Sequence, residues 1–353
     1  MTYFYNTFVK ILGFLTAILI FIIIISLIIS FINRNTDKSS FTYLKGDKVS
    51  ANKIAILKIN GPIISEPRNF YNFTGAGNFD AIYPSLIENY LIDLKKEKIL
   101  GLIVSINSPG GSVSASHTIY NLFNQFKIQN NIPLYFYSTD MLASGAYWVS
   151  LSANKIFANY GALIGSIGVK GPDWIYYNSP TLLSEGLLGN SVESPKGIEL
   201  FSNTAGISKD ILNPFRQPSL KEISQLQNMV NNIYNDFVNL VSSNRKIERN
   251  IVVKEIGAMI YNSKEAKKNY LIDDQININE TIELMSKELK INNAKIISNN
   301  NKKLFNFQKY NFFMNAFDVK QYELNVNLIN RKFCNNIKNE FSVATLNFYN
   351  SLC

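Results

Sequence analysis

The sequence predicts an α/β fold with a mostly parallel sheet, preceded by one transmembrane helix. Three observations carry that expectation. From residue 53 onward, short apolar runs of strand character alternate with segments of helical spacing. Compact Asn/Gly/Pro turns separate them, the rhythm of βαβ units. Ahead of them lies an apolar stretch from residue 11 to residue 32, 22 residues long. With 46% hydrophobic and 17% charged residues over 353 positions, the chain supports a sizeable core and is not disordered throughout.

The apolar stretch comes first. About 20 helical residues cross a bilayer core, whereas a cleaved signal has an apolar region of about 7–15 residues and a small-x-small site. Phe31-Ile32-Asn33-Arg34-Asn35 offers no such site. We therefore read 1–10 as a short N-terminal segment, 11–32 as an uncleaved anchor and 33–50 as a polar linker. Lys10 on one side and Arg34 and Lys38 on the other leave orientation open by charge alone.

Residues 53–59 read as a strand stopped by Asn60-Gly61-Pro62. Residues 84–98 have helical spacing, with Leu86, Ile87, Tyr90, Leu91 and Leu94 as the apolar stripe. A buried strand at 99–106 ends in Asn107-Ser108-Pro109-Gly110-Gly111, followed by a helix over 114–126 and a strand at 134–137. A short helix near Ser144 and a strand at 155–158 continue the alternation. Ser219 and Glu222 form an S-x-x-E capping box that opens a long helix. Its Ile223, Leu226, Val230, Ile233, Phe237 and Leu240 make a stripe expected to face the core. The rhythm fades after about residue 290, leaving 291–353 as a basic, Asn/Lys-rich extension.

Net charge is +9, of which the extension, with 8 Lys/Arg and 3 Asp/Glu, supplies +5. No basic helix, zinc pattern or RNA-binding signature accompanies that charge, so nucleic acid is not an expected partner. The single histidine, His117, excludes a His-rich metal site. No GxGxxG or Walker loop is present, and no cofactor or metal is expected. Cys334 and Cys353 are too few for a disulfide framework, and whether they pair stays open.

Two turns have chemical character. Ser108-Pro109-Gly110-Gly111 follows a buried strand at the carboxyl edge of the sheet, where such folds place ligands. Tandem glycines leave backbone N–H groups open to an oxyanion, although the same tetrad also makes an ordinary turn. Ala143-Ser144-Gly145-Ala146-Tyr147-Trp148 lies between an apolar strand and an apolar helical segment. A serine there is expected to be exposed, with the next N–H available to an anion. The plainer alternative is a helix N-cap.

Together, and in this order, these turns resemble the signal-peptide peptidase (protease IV) family. Gly165-Ser166-Ile167-Gly168-Val169 is similar to that family's GSIGV segment, and Gly206-Ile207-Ser208-Lys209-Asp210 with Pro214-Phe215-Arg216 to the segment of its catalytic lysine. Phe237, Arg245, Ser263, Ala266-Lys267 and Leu271-Ile272-Asp273 match its later motifs, so the resemblance runs from about residue 53 to 290. It implies a Clp protease/crotonase-like spiral of βαβ units and a Ser–Lys peptidase domain over 51–290. It also implies Ser144 as nucleophile, Lys209 as base, the N–H groups of Gly111 and Gly145 as oxyanion donors, and Ser166 as the lysine's hydrogen-bond partner.

Family members cleave leftover signal peptides and other apolar peptides. The resemblance implies a bacterial inner-membrane protein, single-pass, with its catalytic domain outside the cytoplasmic face, and a homo-oligomeric ring like that of the single-domain members. Ala146 and Tyr270 depart from family glycines, and the variable stretch before Lys209 leaves Lys170 and Lys196 as rival bases. Clp-type proteases need a histidine after the serine, and His117 precedes it. A catalytically degenerate homologue acting as a membrane-bound scaffold or peptide-binding protein is the alternative function. A lysine of ordinary pKa, about 10.4, is protonated at neutral pH, and burial lowers that value by up to about 3–5. A lysine base therefore needs a dry pocket.

Overall fold

The structure, a computed structural model, describes residues 2–34, 40–66, 80–174, 176, 184–186, 189–191 and 205–299. Lys196, Cys334 and Cys353 lie outside the described residues. The chain divides into two compact units, Met1–Ser40 and Phe41–Cys353. The first contains α1 (Thr2–Arg34), whose Tyr5–Ser26 stretch is long and apolar enough to cross a membrane and is buried by no protein. A helix apolar on every side finds a suitable environment in lipid or in a protein core.

In the second unit the central strands are β2 (Lys53–Asn60), β3 (Gly101–Ser108), β4 (Leu134–Ala143) and β5 (Lys155–Ala158), all parallel neighbours. Helices α2 (Pro84–Glu97), α3 (Val113–Asn130) and α4 (Gly145–Ser150) lie in the connections between them. The strands are apolar on both faces because both are covered. Ile54, Ile56, Ile103, Tyr135 and Phe157 face one buried cluster, while Ala55, Leu57, Leu102, Val104 and Phe136 face the other. β6 (Leu163–Gly165) pairs with the end of β4, which is why β4 runs to Ala143 instead of stopping at 137. β7 (Ser184–Gly186) and β8 (Gly189–Ser191) form a separate two-stranded hairpin.

The rest of the chain closes this frame. Helix α5 (Leu220–Arg245) is followed by α6 (Arg249–Ile251), β9 (Ile260–Asn262), α7 (Ser263–Lys268), β10 (Asp274–Gln275), α8 (Ile278–Glu288) and β11 (Lys295–Asn299). β9 pairs antiparallel with β6, and β10 lies beside β5. Arg245 donates to the Tyr270 carbonyl at 2.8 Å and to Asp273 at 2.9 Å, while Asp273 accepts the Ile156 N–H at 2.7 Å. The Arg245 and Asp273 motif positions thus act as a staple. Tyr270 takes φ 58, a left-handed position that glycine accepts at no steric cost.

Three expectations change. β1 (Phe41–Gly46) lies inside the expected linker and β11 inside the expected extension; the two pair antiparallel, and β11 continues the sheet beside β2. Burial of Phe41, Ile296 and Ile297 holds them there. The expected α5 stripe is buried only at Phe237, with Val238 and Val241 beside it; Ile223 is 48% exposed. The amino-terminal half of α5 extends past the core.

Deleting residues 1–32 spares β1, and the expected product is a soluble protein with the parent's thermal midpoint. Phe41→Ala, which empties the β1 contact with Tyr90, is expected to lose about 3 kcal/mol in denaturant titration, within the usual range for a buried Phe→Ala change.

Candidate active site

β4 ends at Ala143 and α4 begins at Gly145, so Ser144 occupies the single residue between them. Its φ 57 and ψ −124 are those of the first central position of a type II′ turn, a place normally taken by glycine. A serine held there is strained by about 1–3 kcal/mol. Two backbone bonds hold it: Ser144 N donates to Gly165 O at 2.8 Å, and Trp148 N donates to Ser144 O at 2.9 Å.

Ser144 stands at the N-cap position, yet its side chain caps nothing. An N-cap serine would accept an N–H of the first helical turn. Instead Oγ is buried with no hydrogen-bond partner. The expectation of an exposed serine is corrected, since Ser144 is fully buried. Its cover includes the glycine turn: a Cβ on Gly110 would fall 2.9 Å from Ser144 Cβ and 2.6 Å from Gly145 N.

That turn is anchored from below. Ile63 N donates to Gly110 O at 2.8 Å, Ser112 N donates to Ile63 O at 2.9 Å, and Gly110 N donates to Ser108 Oγ at 3.1 Å. A Cβ on Gly111 would fall 2.0 Å from Ile63 O, and one on Gly145 would fall 2.3 Å from Ser116 Oγ and 3.2 Å from Gly111 N. Gly111 and Gly145 are therefore close neighbours whose N–H groups donate to no acceptor among the described residues. Two free donors beside a strained serine are what a tetrahedral oxyanion requires.

Ser166 follows directly on Gly165, takes φ 54, is buried, and donates its N–H to Met259 O at 2.8 Å. The structure thus brings Ser144, Gly145, Gly111 and Ser166 into one neighbourhood. Gly165, whose carbonyl fixes the serine, went unassigned by sequence reasoning, although the GSIGV match contained it.

The lysines stand apart. Lys209 is exposed, in a turn where its N–H donates to Gly206 O at 3.2 Å. Among the described residues no hydrogen bond or ion pair joins its side chain to Ser144 or Ser166. Lys170 is exposed and paired with Asp173 at 2.9 Å. His117, on α3, meets the edge of the Trp148 ring at a centroid distance of 6.2 Å.

The profile of peptidase family S49 matches residues 127–292. A protein named as a signal peptide peptidase, SppA, in Enterococcus faecium is 28% identical over 71% of this chain and 68% of its own length. A protein named as a protease in Methanocaldococcus jannaschii is 31% identical over 63% of this chain and 68% of its own length. The chain belongs to peptidase family S49. A mutant of the 1510-N membrane-bound stomatin-specific protease, solved with a substrate peptide, is 17% identical, with a TM-score of 0.40 over 70% of this chain and 91% of that one. The S49 match includes Ser144, Ser166 and Lys209, while the Gly110–Gly111 turn lies ahead of it.

An unpaired buried hydroxyl is a stability debt of about 1–3 kcal/mol. Ser144→Ala removes it without changing the backbone, so its thermal midpoint is expected to equal or exceed the parent's by calorimetry, with a gain of up to about 1 kcal/mol.

Proposed function

We propose that this S49 protein is a membrane-anchored serine endopeptidase with a Ser–Lys dyad, built on a Clp protease/crotonase-like spiral. Its substrates are cleaved signal peptides and other apolar peptides. The observation that carries this reading is the strained Ser144, whose unpaired Oγ lies beside the unused N–H groups of Gly111 and Gly145.

Lys209 as neutral amine takes the proton from Ser144 Oγ while the oxygen attacks the scissile carbonyl. The carbonyl oxygen becomes an oxyanion held by the two N–H groups. Lys209 then returns the proton to the leaving amine, the C–N bond breaks, and an acyl-enzyme remains on Ser144. Water, deprotonated by Lys209, releases the acid and restores the serine. Ser166 orients the lysine. The α1 helix is the anchor that keeps this chemistry at a bacterial inner membrane, and the resemblance to signal-peptide peptidases is what favours the extracytoplasmic side, where released apolar peptides collect.

The dyad is best formed between two copies of the chain in a ring. The Lys209 turn is bound to the first turn of α5, at Glu222, through Arg216 and Asp210. Phe237, which stacks on Trp148 of α4 with centroids 4.8 Å apart, lies 15 residues further along the same helix. At 1.5 Å per residue that is about 22 Å along the axis. Around Lys209, Ile207, Leu220 and Ile223 are exposed at 94%, 86% and 48%. A second copy seated on this apolar surface would cover the lysine and supply the dry environment that favours its amine form. Head-to-tail repetition of that contact closes a ring.

The test is complementation. Ser144→Ala and Lys209→Ala proteins are each expected to lose at least about 10³-fold in kcat on an apolar fluorogenic peptide, a typical loss for a catalytic-unit member. Co-assembled in one membrane, with mixing verified by two affinity tags, they are expected to regain activity at interfaces that unite an intact serine with an intact lysine. A mixed assembly that stays inactive rejects the shared site.

A further inference from the structure

We propose that Arg216 is the positioning residue for Lys209, clamping the adjacent Asp210 to the start of α5 while making no contact with the lysine side chain among the described residues. This inference rests on the reading of Lys209 as the general base.

The turn from Gly206 to Asn213 has little apolar anchorage. Ile207 is 94% exposed and Ile211 38%, and the chain passes through left-handed backbone at Gly206, Ser208 and Leu212, with φ of 103, 60 and 70. Its internal bonds are short-range: Lys209 N to Gly206 O, Ile211 N to Ser208 O and Asn213 N to Asp210 O, at 3.0–3.2 Å. Such a segment needs another cause to hold one shape.

Arg216 provides that cause. Its Nε and Nη2 donate to the two oxygens of Asp210 at 2.7 and 2.8 Å, and its Nη1 and Nη2 donate to the two oxygens of Glu222 at 2.9 and 2.7 Å. One guanidinium thus makes a two-pronged contact with each of two carboxylates, a geometry that lysine has no donors to reproduce. The plane is supported by the Trp174 ring, 5.2 Å from centroid to guanidinium carbon, and Trp174 Nε1 donates to Asn213 O at 3.0 Å. Glu222 is 5% exposed and is also the capping-box residue of α5, accepting from Ser219 N and Ser219 Oγ, each at 2.9 Å.

The residue after Lys209 enters this hub: Asp210 binds Arg216 directly. The residue before it, Ser208, accepts the Ile211 N–H at 3.1 Å. The backbone at 209 is thereby held on both sides, and Arg216 supplies the tie to α5. The Arg216 guanidinium keeps the Asp210 and Glu222 carboxyls well below the usual carboxylate range. Both pKa values are depressed, so the clamp is complete above the unfolded carboxylate value of about 4 and weakens only as acid protonates the folded pair.

The hub also explains how a lysine in the turn before α5 is held relative to the serine. Glu222 belongs to the first turn of α5, and the same helix stacks Phe237 on Trp148, four residues after Ser144. Ser144, α4, α5, Glu222, Arg216 and Asp210 are consecutive contacts in one rigid path.

The experiment uses the full chain in phospholipid nanodiscs with an apolar fluorogenic peptide, comparing Arg216→Gln, Arg216→Lys, Asp210→Asn, Lys209→Ala and the double variant Arg216→Gln/Lys209→Ala. For Arg216→Gln and Asp210→Asn the expected result is a kcat fall of about 10²-fold, the scale of a catalytic group displaced by about 1 Å. KM is expected to stay near the parent's, while the thermal midpoint of Arg216→Gln falls because the buried Glu222 carboxylate loses its cation. Removing the Arg216 cation leaves Asp210, the residue next to Lys209, without its counter-charge, which favours the ammonium form, so the ascending limb of the pH–rate profile is expected to move to higher pH. Arg216→Lys restores the charge without the paired forks and is expected to return the limb while leaving kcat low. The double variant is expected to be no worse than Lys209→Ala, because both act through one amine. If Lys209→Ala is inactive while Arg216→Gln and Asp210→Asn keep parental kcat, the clamp is rejected and the dyad stands. A double variant well below Lys209→Ala likewise rejects it, since Arg216 would act elsewhere. If Lys209→Ala keeps its activity, the dyad reading falls and the positioning role falls with it.

Discussion

Three backbone segments meet around Ser144, and the glycine turn among them comes so close that it has no room for a Cβ. The Gly110–Gly111 turn packs against Ser144 and Gly145 from one side, and Gly165 accepts the serine N–H on another. A parallel sheet brings this about: β3 delivers the glycine turn, β4 the serine and β6 the glycine carbonyl, all arriving at neighbouring carboxyl ends. Register in such a sheet is specified by the different shapes of its two buried faces, because a one-residue slip would exchange the side chains of one cluster for those of the other and undo the packing of both. The packing of Ile103, Val104, Tyr135 and Phe136 therefore sets the position of Ser144 as much as any polar contact does.

The central strands and the helices α2, α3 and α5 were legible in the sequence because their information is local: apolar runs, a 3.6-residue stripe, a capping box. β1 was not legible. Its partner, β11, arrives about 250 residues later, and a short run of strand-favouring residues between polar flanks does not announce a pairing at that separation. The α5 stripe misled for a related reason. Helical periodicity reports that a face is apolar without reporting what covers it, and only Phe237 in the expected stripe is buried by its own chain. At the candidate site, residue types and order were readable, but Ser144's left-handed φ and its unpaired Oγ are products of tertiary contacts.

The motif residues outside the reacting groups divide by physical role. Arg245 and Asp273 staple the returning chain to β5, while Tyr147, fully buried, donates its hydroxyl to Leu271 O at 2.8 Å. Burial pushes the Tyr147 phenol well above its ordinary range, so it remains a neutral donor at any physiological pH. These contacts stabilise the frame behind α4, the helix on which the serine's own carbonyl is bonded.

Under the shared-site reading, this division of labour has a geometric consequence. The amino-terminal half of α5 departs from the core carrying an exposed apolar face and, at its tip, the Lys209 turn. A helix is stiff over this length, so the lysine's position relative to its own serine is set by α5 and the Phe237–Trp148 stack. Its position relative to a neighbour's serine is then set by the rotation between subunits alone. A ring that closes imposes one rotation on every interface, and every dyad then has the same geometry. A flexible lysine loop would lose that equivalence, because each site would sample its own approach distances. The stiffness of the arm and the closure of the ring therefore serve the same end: an amine that reaches each serine at a reproducible distance without being fixed to it in a single chain.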